Sequence, residues 1–278
     1  MSMQIRYSPN QTDYQKLGTD ELRAAFLLES LFQPGKLELI YSDADRAIIG
    51  SVVPTDSIIK LSADVELRAA FFCERRELGI LSIGAEGVIE TDGKVHEMAK
   101  LDCLYVGRGT KSVIFSSRDK GNPAAFFLLS YPAHAAYPTT HAKKKDATPV
   151  ELGTQADANQ RTIYKYIHTA GIQSCQLVMG FTQLKEGSVW NTMPAHTHTR
   201  RSEIYMYFDV DAKRRVFHLM GTPHHTRHLV VGNRQAVISP SWSIHSGCGT
   251  GNYTFCWGMG GENQAFDDMD PAPVDTLR

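Results

Sequence analysis

Short apolar runs of strand length, separated by glycine, aspartate and proline, limit most strongly how this chain can fold. Residues 47–53 end at a proline, and residues 78–83 end at a glycine. Residues 87–90 lead into Asp92-Gly93, a pair typical of hairpin turns because both positions accept positive φ. Runs of this kind, recurring about every 8–12 residues between turn signals, predict an all-β barrel or sandwich.

The second half of the chain shows the same pattern of short apolar runs and turn residues, with strand-like runs from residues 176–184 to residues 253–257. Between the halves, residues 139–149 have few apolar side chains, which is typical of a linker or an exposed loop. The length of 278 residues also exceeds the usual single domain of about 100–150 residues. We therefore predict two domains, over residues 1–145 and 146–278.

A weak internal repeat supports two domains of similar plan. Glu-Arg-Arg-Glu-Leu at residues 74–78 resembles Thr-Arg-Arg-Ser-Glu-Ile at residues 199–204, and both segments begin a strand-like run. Repetition of a motif at corresponding places in two halves favours duplication of one unit. Two β-barrels of similar plan would fit the length of the chain.

One clear helix is predicted near the N-terminus. Thr19 is suited to the N-cap, and Asp20 and Glu21 place negative charge in the first turn, where the helix dipole favours it. Apolar residues follow at helical spacing until Pro34-Gly35 ends the run. The rest of the chain has room for only a few further short helices.

Composition and charge exclude several classes of function. Apolar residues make up 42% of the chain and charged residues 21%, which is typical of a folded protein with a core. Lys and Arg total 29 against 30 for Asp and Glu, so no bulk charge attracts nucleic acid or an anionic membrane. We expect neither as a partner.

The apolar runs, the N-terminal residues and the cysteines together predict a reducing compartment. No apolar run approaches the ~18 residues that span a bilayer, and the N-terminal residues lack a signal-peptide pattern. The five cysteines are an odd number without a C-x-x-C pair, so a disulfide framework is not expected. These observations predict a cytoplasmic protein.

The strongest chemical signal is a His-Thr-His motif followed by a glutamate. His196 and His198 are two residues apart, so in a strand both imidazoles point to one face, and Glu203 begins the next strand-like run. His245 follows a Pro-Ser-Trp turn after another strand-like run. A lone His-x-His is more often a polar strand face, but the glutamate and the distant histidine favour a metal site. Such a set suits Zn²⁺, Mn²⁺, Fe²⁺ or Ni²⁺.

These residues carry a family resemblance. His-x-His, then Glu after four residues, and later a proline and a histidine, resemble the two motifs of the cupin superfamily. Longer segments are similar to the 5-keto-4-deoxyuronate isomerase family, namely residues 190–198, 237–247 and 261–270, with 72–79 and 104–107 in the first half. The resemblance runs from about residue 20 to the C-terminus.

The resemblance implies a fold, a cofactor and a reaction. The fold would be all-β, with two cupin-like β-barrels (a bicupin), a few short helices and assembly into a homohexamer. One Zn²⁺ per subunit would be bound in the C-terminal barrel by residues that match the family's ligands: His196, His198, Glu203 and His245. The enzyme would be a ketol-isomerase, an intramolecular oxidoreductase. It would interconvert the small keto-uronate 5-dehydro-4-deoxy-D-glucuronate and 3-deoxy-D-glycero-2,5-hexodiulosonate in the breakdown of pectin and other polyuronates.

The first half offers no comparable metal site. No histidine pair lies near Glu77, and His96 and His134 are isolated in the sequence. We therefore interpret the N-terminal barrel as metal-free, with a structural or oligomerising role.

An aldose–ketose isomerase also needs groups that move a proton and hold the substrate. Removing a proton from carbon leaves negative charge on oxygen, which a metal ion can stabilise, while a general base carries the proton. Our candidates for catalysis are Glu262, Tyr205 and Tyr207. Each has an ordinary structural alternative, which is a solvated loop carboxylate for the glutamate and core packing for the tyrosines.

The substrate carboxylate needs a cationic partner, for which a planar guanidinium is better suited than an ammonium group. Our candidates for substrate binding are Arg161 and Lys165, together with Trp242 as a pocket wall because it neighbours His245 in the sequence. Surface charge or interface contacts are the alternatives for the two cations.

Two other functions stay open. The same ligands accept Fe²⁺, because geometry rather than affinity selects the metal, so a cupin dioxygenase is one alternative. A non-catalytic sugar-binding bicupin is the other, and it predicts binding without turnover. The intact set of ligands argues against the second, and isomerisation without oxygen would exclude the first.

Overall fold

The computed structural model of the protein describes residues 3–147 and 149–278, and strands dominate it. In chain order the first strands are β1 (Gln4–Arg6), β2 (Leu27–Leu28), β3 (Leu37–Ser42), β4 (Ile48–Val52), β5 (Ile59–Lys60), β6 (Arg76–Ser82), β7 (Gly87–Thr91), β8 (Lys94–Met98), β9 (Cys103–Val106), β10 (Val113–Ser117), β11 (Phe126–Pro132) and β12 (Thr140–Ala142). The remaining strands are β13 (Pro149–Leu152), β14 (Arg161–Ile167), β15 (Val178–Leu184), β16 (Trp190–Asn191), β17 (Ala195–Thr197), β18 (Arg201–Phe208), β19 (Val216–Thr222), β20 (His225–Val231), β21 (Gln235–Ser239), β22 (Ile244–Gly249), β23 (Thr254–Gly261) and β24 (Asp270–Ala272).

The chain forms two compact units, which exchange two segments relative to a simple division near residue 145. The first unit comprises Met1–Arg6, Ser30–Thr148 and Tyr166–Met179, and the second comprises Tyr7–Glu29, Pro149–Lys165 and Gly180–Arg278. The N-terminal helix therefore belongs to the second unit, and the segment between β14 and β15 belongs to the first. Contacts that are distant in sequence decide this exchange, so a linker-based boundary does not reveal it.

Each unit is built on one large and one small sheet. In the first unit the seven-stranded sheet has the order β1-β3-β4-β11-β6-β9-β12, and the four-stranded sheet has the order β5-β10-β7-β8. In the second unit the corresponding orders are β13-β14-β15-β23-β18-β21-β2 and β16-β22-β19-β20. A separate pair, β17-β24, completes the second unit. The prediction of an all-β protein is confirmed.

The two units repeat one arrangement of strands. The series β4-β11-β6-β9 in the first unit corresponds to β15-β23-β18-β21 in the second, and the four-stranded sheets correspond strand by strand. The repeat found in the sequence lies at equivalent places, because β6 begins at Arg76 and β18 begins at Arg201. Both arginine side chains are buried.

The cores of the units differ in chemistry. Buried apolar side chains fill the interior of the first unit, and they include Phe72, Phe115 and Phe126. Phe115 lies on β10, which occupies the same place in its sheet as β22, the strand of His245, occupies in the second unit. The first unit therefore has a buried phenylalanine on the strand that, in the second unit, carries a candidate metal ligand.

The helix near the N-terminus is shorter than its sequence pattern predicts. α1 spans Thr19–Phe26, and its N-cap is Gly18 rather than Thr19. The carboxylate of Glu21 accepts a hydrogen bond of 2.8 Å from the backbone N–H of Gly18. After the helix, Leu27 and Leu28 pair with β21 as strand β2, since edge pairing buries both leucines.

The other helical pieces are short 3-10 turns, at Tyr14–Lys16, Ala44–Arg46, Val65–Leu67, Phe72–Glu74, Lys144–Asp146 and Val274–Thr276. In the described part of the chain, no helix has the length and apolar character needed to cross a membrane.

Candidate metal centre

Three histidines and one glutamate meet within the second unit. His196 lies on β17, His198 directly follows that strand, Glu203 lies on β18, and His245 lies on β22. One ligand atom from each residue lies within 4.8 Å of the others. Because β17, β18 and β22 belong to three different sheets, the cluster forms only where these sheets converge.

The donor atoms face one another closely. Oε2 of Glu203 lies 3.0 Å from Nε2 of His198 and 2.9 Å from Nε2 of His245. Nε2 of His196 lies 3.1 Å from Nε2 of His245. Such a convergence of nitrogen and carboxylate donors is the arrangement that a divalent transition metal requires.

Backbone carbonyls orient two of the imidazoles. Nδ1 of His198 lies 2.9 Å from the carbonyl oxygen of Arg201, and Nδ1 of His245 lies 3.3 Å from that of Ser243. A carbonyl oxygen only accepts, so each Nδ1 carries the proton and, in the neutral ring, Nε2 presents its lone pair to the centre. Lone pairs that face a carboxylate repel it unless a proton or a metal ion lies between them, and four donors converging on one point fit a bound metal ion.

Burial and neighbouring charges shift the pKa values of three of the four candidate ligands. Burial, together with the neighbouring His245, lowers the pKa of His196 to about 3, so its ring is neutral. Burial would raise the pKa of Glu203, but His245 and His198 outweigh it and the pKa falls well below its usual range. Burial also opposes protonation of His198, but its hydrogen bond to Glu203 raises the pKa. The carboxylate is therefore ionised at neutral pH.

Within residues 3–147 and 149–278, this is the one cluster of His, Cys, Asp or Glu whose donors converge closely enough to hold a metal ion. The four ligand types and their spacing were recognisable from the sequence, and the structure brings all four together.

A cavity of about 350 Å³ opens beside the cluster. Its walls are formed by Arg161, Ile163, Lys165, Thr182, Thr192, Met193, Pro194, His196, His198, Arg201, Glu203, Tyr205, Phe255, Trp257, Met259, Phe266 and Met269. Cationic, apolar and candidate ligand groups therefore share one cavity, as expected of a site for a small polar molecule.

Strand alternation explains which residues reach the cavity. Successive side chains of a strand point to opposite faces, so every second residue lines one wall. Arg161, Ile163 and Lys165 do so on β14, and Phe255, Trp257 and Met259 do so on β23.

Gly180 on β15 makes room for this wall. A Cβ atom built on Gly180 would lie 2.4 Å from the ring of Trp257 and 2.3 Å from the carbonyl oxygen of Tyr164. A larger residue would have to displace the indole, so the glycine allows Trp257 to lie close against the sheet.

Three of the six further candidates line the cavity. Arg161 is half-buried and donates a hydrogen bond of 2.8 Å to the carbonyl oxygen of Asn159. Lys165 places its ammonium group 4.9 Å from the ring centre of Phe266. The hydroxyl of Tyr205 lies 2.9 Å from Oγ1 of Thr192.

The other three lie elsewhere. Tyr207 is buried deeper on β18, and its hydroxyl hydrogen-bonds to Nδ1 of His218 at 2.8 Å. Trp242 packs against Tyr14 from the N-terminal segment, with ring centres 4.7 Å apart and ring planes tilted by 34°. The side chain of Glu262 is exposed, and it is not one of the cavity-lining residues. Tyr207 and Trp242 are close in sequence to candidate ligands, but this did not place their side chains in the cavity.

Sequence reasoning missed Arg201 and Asp268. The side chain of Arg201 is 1% exposed and lines the cavity, and it pairs with Asp268. The only available signal was the repeated Arg-Arg motif before β18, which indicated a strand start and not a role at the site.

Comparison with known proteins gives a consistent result. Residues 27–274 match the KduI/IolB family. The 4-deoxy-L-threo-5-hexosulose-uronate ketol-isomerase of Halalkalibacterium halodurans is 51% identical over 276 residues, which cover 99% of this chain and 100% of the relative. The resemblance recognised in the sequence is therefore confirmed.

Solved structures agree on the fold. An IolB-like protein from Salmonella typhimurium LT2 has a TM-score of 0.70 at 12% identity, covering 88% of this chain and 96% of that one. A mutant of oxalate decarboxylase from Bacillus subtilis has a TM-score of 0.58 at 10% identity, covering 79% and 70%. The predicted all-β, cupin-like fold is confirmed. With a match that spans nearly its whole length, the chain belongs to the KduI/IolB family.

Proposed function

We propose that this protein is a metal-dependent ketol-isomerase that interconverts 5-dehydro-4-deoxy-D-glucuronate and 3-deoxy-D-glycero-2,5-hexodiulosonate in polyuronate degradation. The observation that carries the proposal is the convergence of three imidazoles and one carboxylate on a cavity that also holds Arg161 and Lys165. The names of relatives that are 51% and 52% identical to the chain support the same reaction.

Zinc is the metal that we propose, bound by His196, His198, Glu203 and His245. Three imidazoles and a carboxylate are ligands that zinc commonly takes in proteins. The bound ion would supply the positive charge that stabilises negative charge developing on the substrate oxygens, a contribution of several kcal/mol.

The two cations of β14 would bind the substrate carboxylate. Arg161 and Lys165 lie two alternations apart on one face of the strand and line the same cavity. Burial lowers the pKa of Arg161, yet a guanidinium stays charged at any physiological pH. A planar guanidinium can hold both oxygens of a carboxylate, and the lysine adds a second charge.

The apolar wall suits a substrate that lacks one hydroxyl group. Trp257, Met259 and Phe266 present no hydrogen-bonding group for a hydroxyl except the indole N–H. That N–H already donates to Oγ1 of Thr182 at 3.1 Å. A methylene carbon, as in a 4-deoxy sugar, packs against such a wall without leaving a polar group unpaired.

Tyr205 would act as a proton donor in the cavity. Burial, together with the charge of Glu203, raises the pKa of its phenol well above its usual value, so the hydroxyl keeps its proton at neutral pH. A protonated phenol beside the candidate ligands can donate to a substrate oxygen on which negative charge develops. Of the three catalytic candidates, Tyr205 lines the cavity, whereas Glu262 and Tyr207 do not.

Replacing one ligand tests the proposed function. His245→Ala should abolish stoichiometric zinc binding and lower isomerase activity by on the order of 10³-fold, because the site loses a donor and its charge stabilisation. Zinc is measured by elemental analysis and isomerisation by NMR. The assay is run without oxygen, so that an oxygenase cannot account for turnover.

His228→Ala is the matched control, because His228 lies exposed on β20, away from the cluster. It should keep both zinc and activity. Full activity in folded His245→Ala protein, or in wild-type protein stripped of metal by a chelator, would refute the proposal.

We also propose a cytoplasmic homo-oligomer. All five cysteines are free thiols, which suits a reducing compartment. The hexameric state rests on the family resemblance. Exposed apolar side chains on the first unit, among them Ile58, Val65 and Val95, offer surface that an interface could cover.

A further inference from the structure

The segment between β23 and β24, residues 262–269, forms part of the cavity wall and is here named the wall loop. Its two ends are held on the strands that carry candidate ligands. Gly261, just before it, pairs with Arg201 on β18, and Asp270, just after it, pairs with Thr197 on β17. Phe266 and Met269 from this loop line the cavity.

One ion pair anchors the wall loop near its C-terminal end. Nη2 and Nη1 of Arg201 donate to the two carboxylate oxygens of Asp268, at 2.8 and 3.0 Å. Asn263 and Arg200 also donate to Asp268, at 2.7 and 2.8 Å. A two-pronged pair between guanidinium and carboxylate fixes geometry as well as adding energy.

The pair is costly to break because Arg201 is almost fully buried. Its side chain is 1% exposed, and a buried guanidinium without a carboxylate partner is strongly unfavourable. The wall loop therefore gains its position from a partner on β18, only two residues before Glu203.

The wall loop in turn positions a cationic group. The ring of Phe266 lies against Trp257, with ring centres 6.2 Å apart, and the ammonium group of Lys165 lies 4.9 Å from the ring centre of Phe266. A cation over an aromatic face is attracted to it and loses freedom. Asp268 and Phe266 are two residues apart in the wall loop, so the loop backbone links the ion pair with Arg201 to the contact with Lys165.

We propose that Arg201 and Asp268 are positioning residues that hold the wall loop in place and thereby set how tightly the substrate is bound. This inference rests on the proposed isomerase function. Asp268 does not line the cavity, so it acts through Phe266 and Lys165 rather than on the reacting atoms. Loss of the pair should therefore weaken substrate binding more than it slows the chemical step.

The test compares two substitutions at one position. Asp268→Asn keeps the shape and removes the charge, and it should raise KM about ten-fold while kcat falls less than about three-fold. Asp268→Glu restores the charge and should recover part of the loss in KM. Zinc content should match that of the wild type in both variants.

Asp267→Asn is the matched control, because Asp267 is the neighbouring carboxylate of the wall loop, is exposed and does not line the cavity. Its KM should equal that of the wild type. Phe266→Ala tests the wall without breaking the pair, so it decides the matter if Asp268→Asn does not fold. An unchanged KM in every folded variant, or a loss of zinc in step with activity, would overturn the inference.

Hydrogen exchange separates this inference from the proposed function. Backbone amides of residues 262–269 should exchange faster in Asp268→Asn than in the wild type, whatever the reaction is. Equal exchange would overturn the positioning role. Absence of isomerisation in zinc-loaded wild-type protein would instead defeat the proposed function, and the exchange result would still decide the role of the pair.

Discussion

Asp268 shows how a single carboxylate can contribute to folding as well as to the pocket. Hydrogen bonds from Arg201, and then from Asn263 and Arg200, lower the pKa of its carboxyl well below the ordinary value of 3.8. A carboxyl whose pKa is lower in the folded than in the unfolded protein stabilises the fold at any pH above the unfolded value. That contribution is lost as the pH falls toward the folded value.

We therefore expect the stability difference between wild type and Asp268→Asn to depend on pH. At about pH 7 the wild type should have the larger free energy of unfolding, and below about pH 4 the difference should shrink, because the wild-type unfolded state then takes up a proton that asparagine cannot. Urea unfolding over a pH series measures it. A difference that stays constant down to about pH 3 would contradict this linkage.

At the same scale, two of the three candidates outside the cavity show what sequence position alone cannot decide. Tyr207 shares its strand face with Glu203, but it lies too deep and bonds to His218 instead. Trp242 is close to His245 in sequence, but its ring packs against Tyr14 instead. The orientation of these side chains depends on residues far along the chain.

At the scale of elements, one strand of the first unit holds a segment that comes from much later in the chain. Glu77 on β6 is fully buried. Its carboxylate accepts hydrogen bonds from the hydroxyl of Tyr105 at 2.8 Å and from the backbone N–H groups of Cys175, Gln176 and Leu177 at 2.7, 2.8 and 2.8 Å. The glutamate thus fixes the segment between β14 and β15 within the first unit.

Glu77→Gln should lower the free energy of unfolding by about 2–3 kcal/mol, since an amide group cannot accept at both ends and leaves buried donors unpaired. Zinc content and kcat of the folded variant should not change, because no candidate ligand belongs to this unit. Thermal and urea unfolding measure the effect. Glu66→Gln, at an exposed position, is the control, and equal stability of the two variants would contradict the anchoring role.

At the scale of the whole molecule, two units of one plan have different interiors. The second unit carries the candidate metal cluster, whereas the first unit has the buried Phe115 on the strand equivalent to that of His245. This division is consistent with a first unit that serves structure or assembly. That role remains a prediction, as does the hexamer.

Light scattering coupled to size-exclusion chromatography tests the assembly. The family resemblance implies a hexamer, so we expect a mass six times the chain mass of 30.9 kDa. Burying the exposed apolar groups of the first unit would favour association. The measurement should be repeated at several protein concentrations. A mass of one chain at all of them would contradict the proposed assembly.

Local patterns along the chain were enough to predict the strand-rich fold, the duplication and the identity of the four candidate ligands. This was possible because strand periodicity, turn residues and the His-x-His spacing are local signals. The helix end was less predictable, since pairing with β21 overrides helical propensity at Leu27 and Leu28.

The exchange of segments between the units and the anchoring of the wall loop depend on long-range contacts, which no local pattern predicts. Arg201 and Asp268 lie 67 residues apart, and an ion pair has no spacing that marks it in a sequence. Such pairs follow from where strands come together in space. The chemistry of the ligands could therefore be read from neighbouring residues, whereas the shape of the cavity beside them could not.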